Sequence, residues 1–166
     1  MFSLFALLAA AVSSPNLTKP ALPVMPSLTM TECENSKSRD ARLAEIDADK
    51  SWTGSADRFN SEWQAYLAAR MDKLGMSKTE QGKFLDDVTE TKEFQALQAK
   101  NEAILTQMGK DFESIKDTES EEGACKTVVR MLGALTPMMQ NATQQYELMD
   151  QAIIAEAKRR RVSLDN

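Results

Sequence analysis

Cys125, Val128, Leu132, Leu135, Met139, Ala142, Tyr146, Met149 and Ile153 follow one another at alternating steps of three and four residues. On an α-helix that spacing draws one continuous apolar seam, so the chain is committed to a long helix that packs lengthwise against other helices. Pro137 falls inside the pattern. Proline removes a backbone donor and clashes with the preceding turn, so a kink or a division near Thr136 is expected. The acidic stretch from Asp117 to Glu122 suits the positive start of this helix, with Thr118 or Ser120 as the cap. Lys158, Arg159, Arg160 and Arg161 suit its negative end.

Upstream, the helical pattern begins near Thr31, which with Glu34 has the spacing of a capping box, and continues through Leu43 and Ile46 to about Lys50. Ser51-Trp52-Thr53-Gly54-Ser55 reads as a break. Phe59, Trp63, Tyr66, Leu67, Met71 and Leu74 then mark one face of a second helix, ended by Gly75. An aromatic stripe at this spacing belongs to a core more often than to a ligand platform. Ser77 and Glu80 form another capping box and open a third helix. Its phase changes between Val88 and Phe94, and Thr89-Glu90-Thr91 offers a new cap, so a kink or turn is expected there. Ser77-Lys78-Thr79-Glu80-Gln81 is accounted for by capping and places the chain in no family.

The N-terminal region reads differently. Phe2 to Val12 is an uncharged apolar run followed by small residues, too short to span a bilayer and suited to a secretory leader, taken here as residues 1–13. Residues 14–31 hold four of the five prolines and no helical period, which predicts an extended linker. The bundle domain is then residues 32–161, with a tail of 162–166. Asn16-Leu17-Thr18 and Asn141-Ala142-Thr143 match the glycosylation sequon.

Two cysteines, Cys33 and Cys125, are too far apart in sequence for a zinc knuckle or a CxxC redox pair, and a single long-range disulfide is their natural use. Such a bridge would constrain the unfolded chain by roughly 4 to 5 kcal/mol. It also tests topology. If four helices alternate in direction and the third is unbroken, the cysteines begin at opposite ends; a reversal near Thr89 to Thr91 brings them to one end.

Chemistry is narrowed mainly by what is missing. The chain has no histidine, which removes serine–histidine and cysteine–histidine catalysis, zinc hydrolase motifs and histidine-ligated haem or di-iron centres. No P-loop or GxGxxG occurs. Asp86 and Asp87 are paired acids of an ordinary acidic helix surface. Asp47-Ala48-Asp49-Lys50-Ser51 resembles the first half of an EF-hand calcium loop, but Trp52 stands where the turning glycine belongs and Arg58 where the bidentate glutamate belongs. A net charge of −5 opposes general nucleic-acid binding.

The sequence therefore predicts an all-α bundle of four or five antiparallel helices with a long kinked C-terminal helix, in a periplasmic or secreted protein. No catalytic residue, cofactor, metal or small-molecule substrate is expected. Methionines on and beside the seam, which adapt to varied surfaces, point to a protein partner or self-association. The expected partner-binding residues are Met131, Leu135, Met138, Met139, Tyr146 and Met149. Membrane contact is expected only through the leader or the basic run at Lys158 to Arg161. A chaperone-like binder and a coiled-coil scaffold or envelope-assembly subunit both fit this pattern.

Overall fold

The structure, a computed structural model, describes residues 18–117 and 120–164. The leader of residues 1–13, the first of the two sequons in part, and Thr118 lie outside them. Six helices carry the described chain: α1 (Met30–Glu34), α2 (Ser36–Ala48), α3 (Ser51–Lys73), α4 (Lys78–Thr89), α5 (Lys92–Lys116) and α6 (Glu121–Arg160). The architecture is the expected all-α bundle with a long C-terminal helix.

Local chemistry sets the boundaries. The first capping box uses Thr29 and Glu32, two residues before the expected pair, and Asn35 then breaks the helix and caps α2 through Ser38 N–H. The next break falls at Asp49–Lys50, and Gly54 lies inside α3. Asp49 accepts from Ser51 N–H, so this corner of the calcium-loop resemblance serves as a polar turn at a helix start. Gly75, at φ 70°, ends α3 with Met76 N–H reaching back to Met71 C=O, a closure that needs a left-handed residue. Ser77 and Glu80 cap α4 reciprocally, Thr91 caps α5 and Ser120 caps α6.

Pro137 does not divide α6, which is helical on both sides of it over 40 residues, about 60 Å. α5 runs antiparallel beside it. Asn141 donates to Asn101 at 2.8 Å and Arg130 meets Asp111 at 3.2 Å. α3 runs parallel to α6: Tyr146 hydroxyl reaches Asn60, Arg70 pairs with Asp150, and Arg160 donates to Leu74 C=O, so numbers rise together.

This direction explains the cysteines. Cys33 and Cys125 form a disulfide with Cα atoms 5.6 Å apart, and no reversal at Thr89 to Thr91 is needed. Arg39 meets Glu121 at the start of α6, and α2 and α3 then advance along α6 one after the other. α4 and α5 return toward the disulfide end. The short breaks at Asp49–Lys50 and Glu90–Thr91 divide these paths without reversing them.

Two apolar clusters result. The main core joins Phe59, Trp63, Tyr66, Leu67 and Met71 of α3, Leu85 and Val88 of α4, Phe94 of α5, and Tyr146, Met149, Ile153 and Ala157 of α6. Trp63 stacks on Tyr146 with centroids 5.4 Å apart. The smaller cluster surrounds the disulfide, with Leu28 buried and Leu43, Val128, Val129 and Leu132 against it.

The proline-rich segment joins the two. Leu28 lies in the disulfide cluster, Arg42 donates to Ser27 C=O, and Lys19 pairs with Glu147 while standing over the Trp63 ring. Between these anchors Pro23 to Pro26 face Ile46 and Trp52 across a cavity of about 390 Å³. The expected linker is a strap along the bundle. At about 3.1 Å per residue its ten residues span roughly 30 Å, close to the rise of α6 from Cys125 to Glu147.

At the far end Arg159 and Arg160 both bond Glu156 and hold its carboxyl down at about 2. The folded value lies below the ordinary 4.5, so this contribution to stability is complete above that pH and is lost as pH falls toward 2. Thermal melts over this window should show a falling midpoint, and Glu156→Gln should flatten the slope. Reduction of the disulfide should lower the denaturant midpoint at neutral pH by an amount worth roughly 4 kcal/mol. Equal midpoints for oxidised and reduced protein would contradict the topology.

Candidate functional site

The seam that the sequence places on α6 is used mostly inside the protein. Its N-terminal members Cys125, Val128 and Leu132 belong to the disulfide cluster, and Tyr146, Met149 and Ile153 to the main core. Of the residues expected to bind a partner, Tyr146 and Met149 are therefore buried in the fold, Tyr146 so deeply that its hydroxyl is pushed above the usual phenol range. Met139 packs half-buried against the same core. Met131, Leu135 and Met138 are half-buried.

Two of these, Met131 and Met138, belong to a second stripe that the seam obscured. Met131, Met138 and Met149 are separated by seven and eleven residues, and on a helix of about 3.6 residues per turn they fall along one line. Phe94, Leu105 and Phe112 on α5 are separated by eleven and seven and fall along another. The Asn101–Asn141 and Asp111–Arg130 contacts set the register of the two helices, which puts Leu105 nearly level with Met138 and Phe112 with Met131. Phe94 and Met149 meet in the main core. Both lines therefore descend the same face of the α5–α6 pair.

Coverage of that face is uneven. At its upper end Phe94 and Met149 belong to the main core and are only 6% and 3% exposed. Toward the disulfide end, Leu105 is 45% and Phe112 55% exposed. The cluster at the disulfide packs on a different side of α6, through Cys125, Val128 and Leu132. Residues 131 to 146 of α6 include no charged side chain. Large apolar side chains left in water on a continuous uncharged floor mark an interaction surface more often than isolated ones do.

On the opposite face of the pair, Glu93, Lys100, Glu147 and Gln151 together with Leu97 and Leu148 line a mixed recess of about 340 Å³. Several buried polar groups elsewhere are committed to structure. Asp150 lies between Arg70 and the Tyr66 hydroxyl, and burial with the neighbouring carboxylate raises the Tyr66 hydroxyl above the phenol range. Asp111 is bonded by Arg130 and Gln107. Gln81, fully buried, donates to Asp72 and to Met76 C=O. No group of three or more acidic or cysteine side chains is disposed to hold a metal among the described residues. Asn141 of the second sequon sits within α6 with its amide bonded to Asn101. In the basic run, Arg159 and Arg160 are engaged by Glu156.

No protein family, curated protein or solved structure matches this chain. Interpretation of the apolar face rests on its own geometry.

Burial separates the structural and surface parts of the site. Ile153→Ala, at a fully buried position, should cost about 2 to 5 kcal/mol. Phe112→Ser, at a position more than half exposed, should change stability by less than about 1 kcal/mol. Urea unfolding of the two variants checks the contrast, and similar losses would mean that Phe112 is part of a core.

Proposed function

We propose that this protein is an exported, non-enzymatic helical protein that binds other proteins through the apolar face of α5 and α6. The observation that carries this reading is the lower part of that face, where Leu105 and Phe112 stand in solvent beside Met131, Leu135 and Met138. Exposed large side chains carry a solvation cost that a partner would remove. The methionines add adaptability, because an unbranched thioether side chain fits differently shaped neighbours at small cost. A chaperone-like role, with several clients, is consistent with that chemistry.

Export is supported by two features. The Cys33–Cys125 bridge persists in oxidising compartments and is rare where thiols are kept reduced. The first thirteen residues have the composition of a leader. Among the described residues no helix is long and apolar enough to cross a membrane.

The scaffold reading draws on the same face, which two copies could share as a symmetric contact. It loses the support of the α6 seam, because both ends of that seam are filled by the protein's own core and disulfide cluster.

Photo-crosslinking separates the readings. A photoreactive residue in place of Phe112 should yield adducts with another protein in the host's exported fraction, and the same residue in place of Val24, 91% exposed on the strap, should not. Adducts only between copies of this chain would establish the scaffold instead. Equal adducts from both positions, or none, would remove the reading of this face as a binding surface.

A further inference from the structure

We infer that the end of the bundle formed by the last turns of α3 and α6 and the first turns of α4 docks on a bilayer surface of anionic phospholipid. The inference stands apart from the α5–α6 face and uses none of its residues.

Three segments meet at this end. Arg160 donates to Leu74 C=O and Lys73 to Leu164 C=O, which brings the ends of α3 and α6 level. α4 starts here after the turn at Gly75, with Lys78 on Asp72 and Glu80 within the field of Arg160. Residues 72–83 and 156–164 contain seven Lys and Arg against three Asp and Glu, a net charge of +4, so with −5 for the whole chain the remainder carries −9. The same polarity runs along α6, whose first turn holds Glu121 and Glu122 and whose last holds Lys158, Arg159 and Arg160.

Helix capping accounts for only part of this excess. A helix C-terminus presents about half a negative charge, so α3 and α6 together call for about one cation, and the start of α4 returns about half. The acids do not remove the rest. Asp72 is taken by Lys78, and Glu156 alone faces both Arg159 and Arg160. Lys83, Lys158 and Arg161 are exposed and form no ion pair among the described residues.

The distribution of charge selects the partner. Nucleic acid asks for a basic stripe or groove along a protein, and here the length of the bundle is acidic. A planar anionic surface needs only the end of a rod. Screening acts over about 8 Å at physiological ionic strength, so a bilayer touching this end meets its cations. Glu121 and Glu122, about 55 Å away along α6, lie beyond reach. Each Lys or Arg held at such a surface strengthens attachment about fivefold. Attachment by this end stands the bundle upright and leaves the α5–α6 face turned to the side.

The experiment is cosedimentation of the full disulfide-bonded chain with vesicles of phosphatidylcholine alone or with about one third phosphatidylglycerol. The chain should bind the anionic vesicles, and raising salt from about 0.05 to about 0.5 M should weaken binding at least tenfold. Lys158→Gln with Arg161→Gln should also weaken it at least about tenfold. Lys37→Gln with Lys110→Gln, the same change of charge at exposed sites far from this end, should weaken it less than about twofold. Equal binding to both kinds of vesicle, as the apolar leader alone would give, or binding to neither, would overturn the inference. Retention on polyglutamate in place of vesicles, with the same dependence on Lys158 and Arg161, would show an acidic protein as the partner and overturn it too.

Discussion

A helix of forty residues cannot be held along its whole length by a core confined to one end, and α6 is held at two. Toward its C-terminus it packs with α3 and α4 around Trp63 and Ile153; near its N-terminus it is tied through Cys125 to α1 and to Leu28. The disulfide works where little apolar surface is available. Its cluster contains few buried side chains, and a bridge closing a span of 92 residues limits the unfolded chain more than such a small cluster could stabilise the folded one. The distance between these two anchor points then determines the rest of the architecture.

That distance is bridged on one side by α5 and on another by the proline-rich strap. The strap is suited to the task because it needs no hydrogen-bonded neighbour. A helix or strand would require either a matching edge or a continuous apolar stripe, but residues 19 to 26 have neither. They are held at the ends, by Lys19 with Glu147 and by Arg42 with Ser27 C=O, and arch over a cavity between. The prolines that exclude regular structure thus contribute to an extended tie along the bundle.

Local signals were readable in the sequence, and directional ones were not. Ser77 with Glu80, Thr91, Ser120 and Gly75 each mark an element boundary because the relevant bond is made within a few residues. The first helix begins two residues earlier because Thr29-x-x-Glu32 and Thr31-x-x-Glu34 overlap with the same spacing, and it is Thr29 and Glu32 that make the reciprocal capping bonds. The sense of each turn was hidden for a related reason. Nothing within Asp49 to Ser51 or Glu90 to Thr91 states whether the chain doubles back, since this is decided by α3 packing parallel to α6. At the candidate site, Met131, Leu135 and Met138 were identifiable by composition. Tyr146 and Met149 looked equivalent to them until α3 and α4 covered one half of the face.

The uncovered half is also where α6 has the least helical preference of its own. Gly133 and Pro137 both lie there, and they disfavour a helix interior by about 1 and 3 kcal/mol relative to alanine. Pro137 leaves the carbonyl one turn earlier without its usual backbone donor. The packing that offsets this comes from α5, through Asn101 with Asn141 and Asp111 with Arg130 on one side of the helix. A helix interrupted by proline adjusts its curvature more readily than an unbroken one, and flexible thioethers accommodate the adjustment without leaving voids. The weakest stretch of the spine and its most adaptable side chains therefore coincide along the same turns of α6.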